Sequence, residues 1–152
     1  MMTTRSRVKQ IMVAEDSPAD VILVRMALQR SGLDFELHVL DDGEKAITFL
    51  EKLDASPAAD PIDLLLLDMH LPKYDGEEIL MRLRSSENHA QTPVVIMTAS
   101  DAPQDHARAQ KHAAMHYFRK PSDLAGYMQL GIIIRDLLSS DTGSRDERVV
   151  GK

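Results

Sequence analysis

The chain has no cysteine among its 152 residues, which excludes disulfides, thiolate zinc sites and cysteine nucleophiles at once. It has no apolar run approaching the ~18 residues that a membrane span needs. Behind the amino-terminal M-M-T-T-R-S-R, the apolar stretch from Val8 to Ala14 is too short for a signal-peptide core and leads into acids. A basic surplus is also missing. The formal net charge is −6, whereas nonspecific nucleic-acid binding needs a basic footprint, and no basic stripe or recognition-helix pattern compensates. There is no internal repeat and no sign of a second domain. These absences lead to the expectation of a cytoplasmic protein with neither a membrane nor a nucleic-acid partner. With 43% apolar and 28% charged residues, the chain has an ordinary globular composition and fits one domain with a core of its own.

The most informative segment runs from Asp63 to Gly76, D-L-L-L-L-D-M-H-L-P-K-Y-D-G. Four consecutive leucines describe a short strand buried on both faces. Asp68 follows where the strand runs out, and Pro72 and Asp75-Gly76 force a turn. Around this segment, five β-rich stretches alternate with five helical patterns, the signature of a parallel sheet with crossover helices. The expected strands are Val8 to Ala14, Phe35 to Leu40, Ile62 to Leu67, Pro93 to Thr98 and Met115 to Phe118. The expected helices run from Pro18 to Arg30, from Gly43 through Leu53, from Gly76 to Ser86, from Pro103 to His112 and from Ser122 to Leu138. Beyond Leu138 the segment D-T-G-S-R-D-E-R-V-V-G-K has little to bury.

Strand one ends in Glu15-Asp16, strand three in Asp68 and strand four in Thr98, and strand five leads to Lys120. Parallel strands share a direction, so these residues converge on one edge, where open α/β sheets bind their ligands. Packed carboxylates raise one another's pKa unless a cation intervenes. Mg²⁺, with Mn²⁺ as the alternative, suits such hard oxygen ligands. Asp16 and Asp68 are suited to direct ligation together with the backbone carbonyl of His70, and Glu15 to action through a coordinated water. A phosphoryl group arriving at Asp68 would form an acyl phosphate. Lys120, the Thr98 hydroxyl and the amide of Ala99 can then meet its oxygens.

These residues resemble the response-regulator receiver domain, the CheY-like fold. The matching segments are E-D-S-P-A-D, D-M-H-L-P-K-Y-D-G, M-T-A-S and Y-F-R-K-P. The resemblance implies a flavodoxin-like, doubly wound five-stranded parallel sheet in the order 2-1-3-4-5. It covers residues 8–138, between a mobile N-terminus (1–7) and a mobile C-terminal tail (139–152). It implies that Asp68 is the phosphoacceptor for a histidine kinase, with Mg²⁺ at Glu15, Asp16, Asp68 and the His70 carbonyl. Before phosphorylation Thr98 and Tyr117 are expected to sit outward; afterwards Thr98 moves toward the phosphoryl group and Tyr117 turns inward behind it. The Lys120–Pro121 bond is expected to be cis, as is typical of the family. The S-P-A-D entry, the long second loop and the lack of an output domain resemble small stand-alone regulators paired with phytochrome-type histidine kinases. Ala113 stands where such domains commonly carry glycine.

The last helix is apolar around more than one face, which points to a homodimer surface made with the fourth helix and fifth strand. The His70 side chain is expected to face solvent. A catalyst acting on other substrates is the competing class, but aspartate-nucleophile phosphatases carry a second Asp where this chain has His70. The chain is therefore expected to catalyse only its own phosphoryl transfer and autodephosphorylation. A non-phosphorylated binding scaffold of receiver shape is the other alternative, although such scaffolds usually lack one of the acids or the lysine.

Overall fold

A computed structural model describes residues 8–151 of the chain, with side chains through residue 139. The four leucines form β3 (Leu64–Leu67), and all four are buried. Alternate residues of a strand face opposite sides. Leu65 and Leu67 accordingly join one apolar cluster, while Leu64 and Leu66 join another. Only a strand in the middle of a covered sheet can bury both sets. β3 lies between β1 (Lys9–Ala14) and β4 (Val94–Thr98), with β2 (Phe35–Leu40) and β5 (His116–Arg119) at the edges. All pairs are parallel, in the order β2-β1-β3-β4-β5, as the resemblance implies.

One face is covered by α1 (Pro18–Arg30) and α5 (Leu124–Gly151), through Val24, Leu28, Tyr127, Leu130 and Ile134. The other is covered by α2 (Gly43–Asp54), α3 (Gly76–Ser85) and α4 (Pro103–Lys111). Local chemistry starts these helices where the sequence indicates. Ser17 caps α1 ahead of Pro18, Asp42 caps α2, and Asp75 with Glu78 closes a capping box on α3. Gly131 lets α5 lie against α1, since a Cβ there would stand 2.6 Å from the Ala27 carbonyl oxygen. That close approach places Tyr127 against α1.

Two expectations need adjustment or lie out of reach. α5 continues to Gly151, past the Leu138 end read from the sequence, because no proline interrupts the polar segment that follows. The expected mobile N-terminus, residues 1–7, falls outside the described residues, as do the side chains of the expected tail from residue 140.

Ala113 follows α4 with φ +60°, a left-handed conformation that disfavours any residue with a Cβ. The turn is held from outside. The Arg84 guanidinium donates to the carbonyls of His112 at 2.9 Å and Ala113 at 3.2 Å, and to Thr92 at 2.7 Å. Burial holds this guanidinium's pKa below its usual value. Five carbonyls in all, with His89 and Ala90, accept from it. Relief of the strain by Ala113→Gly is expected to stabilise the fold by about 1 kcal/mol, after allowing for the looser unfolded chain. In thermal unfolding this is a rise of roughly 2–4 °C; a lower melting temperature for the glycine variant would show the turn unstrained.

Candidate functional site

The sheet itself aims the site. The Asp68 amide donates to Ala14 O at 3.0 Å, the Glu15 amide to Leu40 O at 3.0 Å and the Lys120 amide to Thr98 O at 2.8 Å. Each of these three residues is thus the next rung of a ladder, so strand register sets where its side chain leaves the backbone. The edge collects Glu15, Asp16, Asp68, Thr98 and Lys120, all the residues that the sequence pattern placed there.

Asp68 is buried. Its Oδ1 accepts from the Thr98 hydroxyl at 2.9 Å and from the His70 amide at 3.0 Å. Its Oδ2 lies 3.2 Å from the Lys120 ammonium. Glu15, Asp16 and Asp68 each offer an oxygen, and these oxygens lie within 4.8 Å of one another. Asp16 is exposed and the other two are buried. Glu15 Oε2 accepts from the Ser17 amide at 3.0 Å and from Lys120 at 3.1 Å. Its Oε1 is as close to the ammonium, 3.1 Å, but has no hydrogen-bond partner.

Burial is the largest influence on Glu15. Reinforced by the Asp68 charge, and only partly offset by the Ser17 amide and Lys120, it pushes this carboxyl up to about 7. Burial also works against the Lys120 ammonium, but the Asp20 hydrogen bond and the charges of Asp68 and Glu15 outweigh it and raise its pKa. Three acids with one buried, orphaned oxygen form an all-oxygen donor set that fits a hard divalent cation. Among the described residues, the Lys120 ammonium is the one paired with these acids.

Thr98 and Tyr117 are not outward. Thr98 is 1% exposed, and a buried hydroxyl needs an acceptor, which Asp68 supplies. The Tyr117 phenol donates to the Ser100 carbonyl at 3.0 Å, and its ring stacks on His106 with centroids 3.6 Å apart. Among the described residues no peptide bond is cis, so the Lys120–Pro121 bond is trans, contrary to expectation. The ladder bond of Lys120 already aims its side chain at the acids without the other isomer. Ala99, next to Thr98, is exposed. The His70 side chain is half-exposed but not free: its Nε2 lies 2.7 Å from Asp105 Oδ2.

Asp105, on α4, has no counterpart in the sequence reading. It is 3% exposed and accepts from Ser100 at 2.6 Å and Arg108 at 3.2 Å. Burial alone would raise its pKa, but Ser100 and His70 outweigh it and hold the carboxyl below its ordinary value. Its polar position in an alanine-rich helix carried no signal of burial. Asp20 is different. It closes the quoted segment E-D-S-P-A-D, one turn beyond the acids, and it lies 2.8 Å from the Lys120 ammonium.

The family model described as the response regulator receiver domain matches residues 11–130. Response regulator Rcp1 of Synechocystis sp. is 38% identical over 97 residues, which cover 64% of this chain and 66% of that protein, just under two thirds. Among solved structures, the phosphorylated cyanobacterial phytochrome response regulator RcpA is similar at TM-score 0.78 and 30% identity, covering 89% of this chain and 96% of that one. The Mn(2+)-bound form of Rcp1 is similar at TM-score 0.73 and 32% identity, covering 84% and 92%.

Because the folded chain holds a proton on Glu15 that the unfolded chain releases near pH 4.5, stability is lost as pH rises from 4.5 toward about 7. Glu15→Gln is therefore expected to melt above the wild type at pH 8 in a chelator, with the gap closing by pH 5. Millimolar Mg²⁺ should reverse the order at pH 8, since the variant loses a carboxylate facing the cation. Equal melting temperatures at pH 8 in the chelator would show that Glu15 is not strained by its charge.

Proposed function

The chain belongs to the response regulator receiver domain family, and on that premise we propose that it is a phosphorylation-operated signalling module of a two-component system. Asp68 accepts the phosphoryl group of a histidine kinase. The observation that carries this reading is the set of contacts on Asp68: a hydroxyl and an amide on Oδ1, and an ammonium beside Oδ2.

An ionised carboxylate has about four lone-pair sites. Thr98 and His70 occupy Oδ1, which leaves Oδ2 a pair for the incoming phosphorus. An oxygen–phosphorus bond forms as the phosphorus–nitrogen bond of a phosphohistidine breaks. The imidazole keeps the electron pair and takes a proton from solvent. Lys120 neutralises one phosphoryl oxygen and the Ala99 amide meets another, so alignment and charge do most of the work. Glu15, Asp16, Asp68 and the His70 carbonyl would hold Mg²⁺, with Glu15 acting through water. The cation supplies further positive charge, a role to which the Mn(2+)-bound form of Rcp1 lends support. The chain catalyses only its own phosphoryl transfer and loss.

The added phosphoryl oxygens compete for the Thr98 hydroxyl that Asp68 now holds. Its release, with the Tyr117 bond to Ser100, shifts a population of α4–β5–α5 surfaces. That surface exposes Met115 (54%) and Ile132 (44%), which supports a homodimer there. The likeness to RcpA supports a phytochrome-type kinase as partner, and a cytoplasmic site of action follows from that partnership. Among the described residues no helix is long and apolar enough to cross a membrane.

Acetyl phosphate with Mg²⁺ is expected to add one phosphoryl group by intact mass to the wild type and none to Asp68→Ala. A wild type left unmodified by both acetyl phosphate and a cognate kinase would leave only the non-phosphorylated scaffold. Ile132→Glu is expected to lower the sedimentation mass of the phosphorylated form to that of a monomer; an unchanged mass would remove the α5 interface.

A further inference from the structure

Of the three carboxylates around Lys120, Asp20 is the nearest, at 2.8 Å, against 3.1 Å for Glu15 and 3.2 Å for Asp68. It also comes from a different place. Glu15 and Asp68 leave the sheet edge, whereas Asp20 lies in the first turn of α1 and is not among the acids gathered for a cation. Its two oxygens have different partners: Oδ2 meets Lys120, and Oδ1 accepts from the Tyr127 phenol at 3.0 Å. Its backbone amide donates to the Ser17 hydroxyl at 3.3 Å.

Tyr127 is a rigid anchor. It is 2% exposed and packed in the apolar cluster between α1, α5 and the sheet. Burial first, and then the Asp20 contact, raises the phenol's pKa, so it remains a donor. A flexible four-carbon stem ending in a compact charge is thus tied, through one carboxylate, to the core beneath α5. Without that tie, Glu15 and Asp68 are the carboxylates left beside the ammonium, and the stem is free to settle against either.

We propose that Asp20, itself fixed by Tyr127, is a positioning residue for Lys120, holding the ammonium beside Asp68 Oδ2. This rests on the phosphoacceptor role of Asp68. It also makes α5 part of the site's support, since Tyr127 reports the seating of that helix to the lysine.

The test is the rate of acetyl phosphate labelling at saturating Mg²⁺, followed by intact mass on the full chain. Misplacing a reacting group by about 1 Å can cost up to ~100-fold; Asp20→Asn, which keeps the shape, is expected to slow labelling about tenfold. Asp20→Glu should recover part of the rate, and Tyr127→Phe, which leaves the core filled, should slow it about two- to threefold. In a Lys120→Ala background, Asp20→Asn should change the residual rate by less than about twofold, because the two residues act as one unit. Mg²⁺ affinity by calorimetry should stay within about threefold of wild type in Asp20→Asn. A wild-type rate in Asp20→Asn, an equal loss with and without Lys120, or a fall in Mg²⁺ affinity matching the fall in rate would each overturn the proposal. If the wild type itself takes no phosphoryl group from acetyl phosphate or a kinase, the phosphoacceptor reading fails and this one with it. A wild type that labels beside an equally fast Asp20→Asn sinks the positioning role alone.

Discussion

The burial of crowded carboxylates at one edge of the sheet is the constraint that underlies everything else in this molecule. Glu15, Asp16 and Asp68 bring oxygens within 4.8 Å of each other, two of these residues are buried, and one ammonium from Lys120 stands among them. Glu15 shows the consequence: burial first, reinforced by the Asp68 charge, pushes its carboxyl up to about 7. Buried, crowded charge of this kind costs stability, and its all-oxygen donor set fits a hard divalent cation. The apolar sheet beneath maintains that strain.

A second polar system runs from that edge toward α4. His70, two residues after Asp68, reaches Asp105, which also takes the Ser100 hydroxyl. Arg108 continues from Asp105 to Asp75 and Glu77 at the start of α3. Tyr117 meets the same loop through the Ser100 carbonyl. The loop after Thr98 is thus tied to Asp68 at one end and to α4 at the other. A change of charge at Asp68 has a bonded route to the surface helix, and α4 is short, with no side-chain cap at its N-terminus. Helices with few stabilising terms of their own are the ones whose position a network can set.

Much of this was legible along the chain because it depends on near neighbours. The four leucines read as a doubly buried strand, and β3 alternates between two cores as that reading requires. Pro18, Gly43 and Gly76 open the helices expected from the sequence, and the structure keeps those starts. Ala113 was recognised as an awkward residue, and it holds φ +60°. What could not be read was the particular partner each side chain takes once the site residues converge. The side-chain states of Thr98 and Tyr117, the partner of His70 and the trans bond before Pro121 all depend on packing between loops, where no periodicity operates.

Composition, alternation and strand-end chemistry determined by themselves the parallel sheet, its two buried faces and the convergence of acids, hydroxyl and lysine on one edge. Strand direction requires that convergence whatever the helices do. Only the tertiary structure decided how Lys120 is shared among Asp20, Glu15 and Asp68, and that Tyr127 anchors the arrangement from the core. The alternation of a strand between two faces is a local property of its own residues. The distance from a lysine tip to a carboxylate on another helix is set by how closely α1 and α5 pack, and that rests on contacts between segments far apart in the chain.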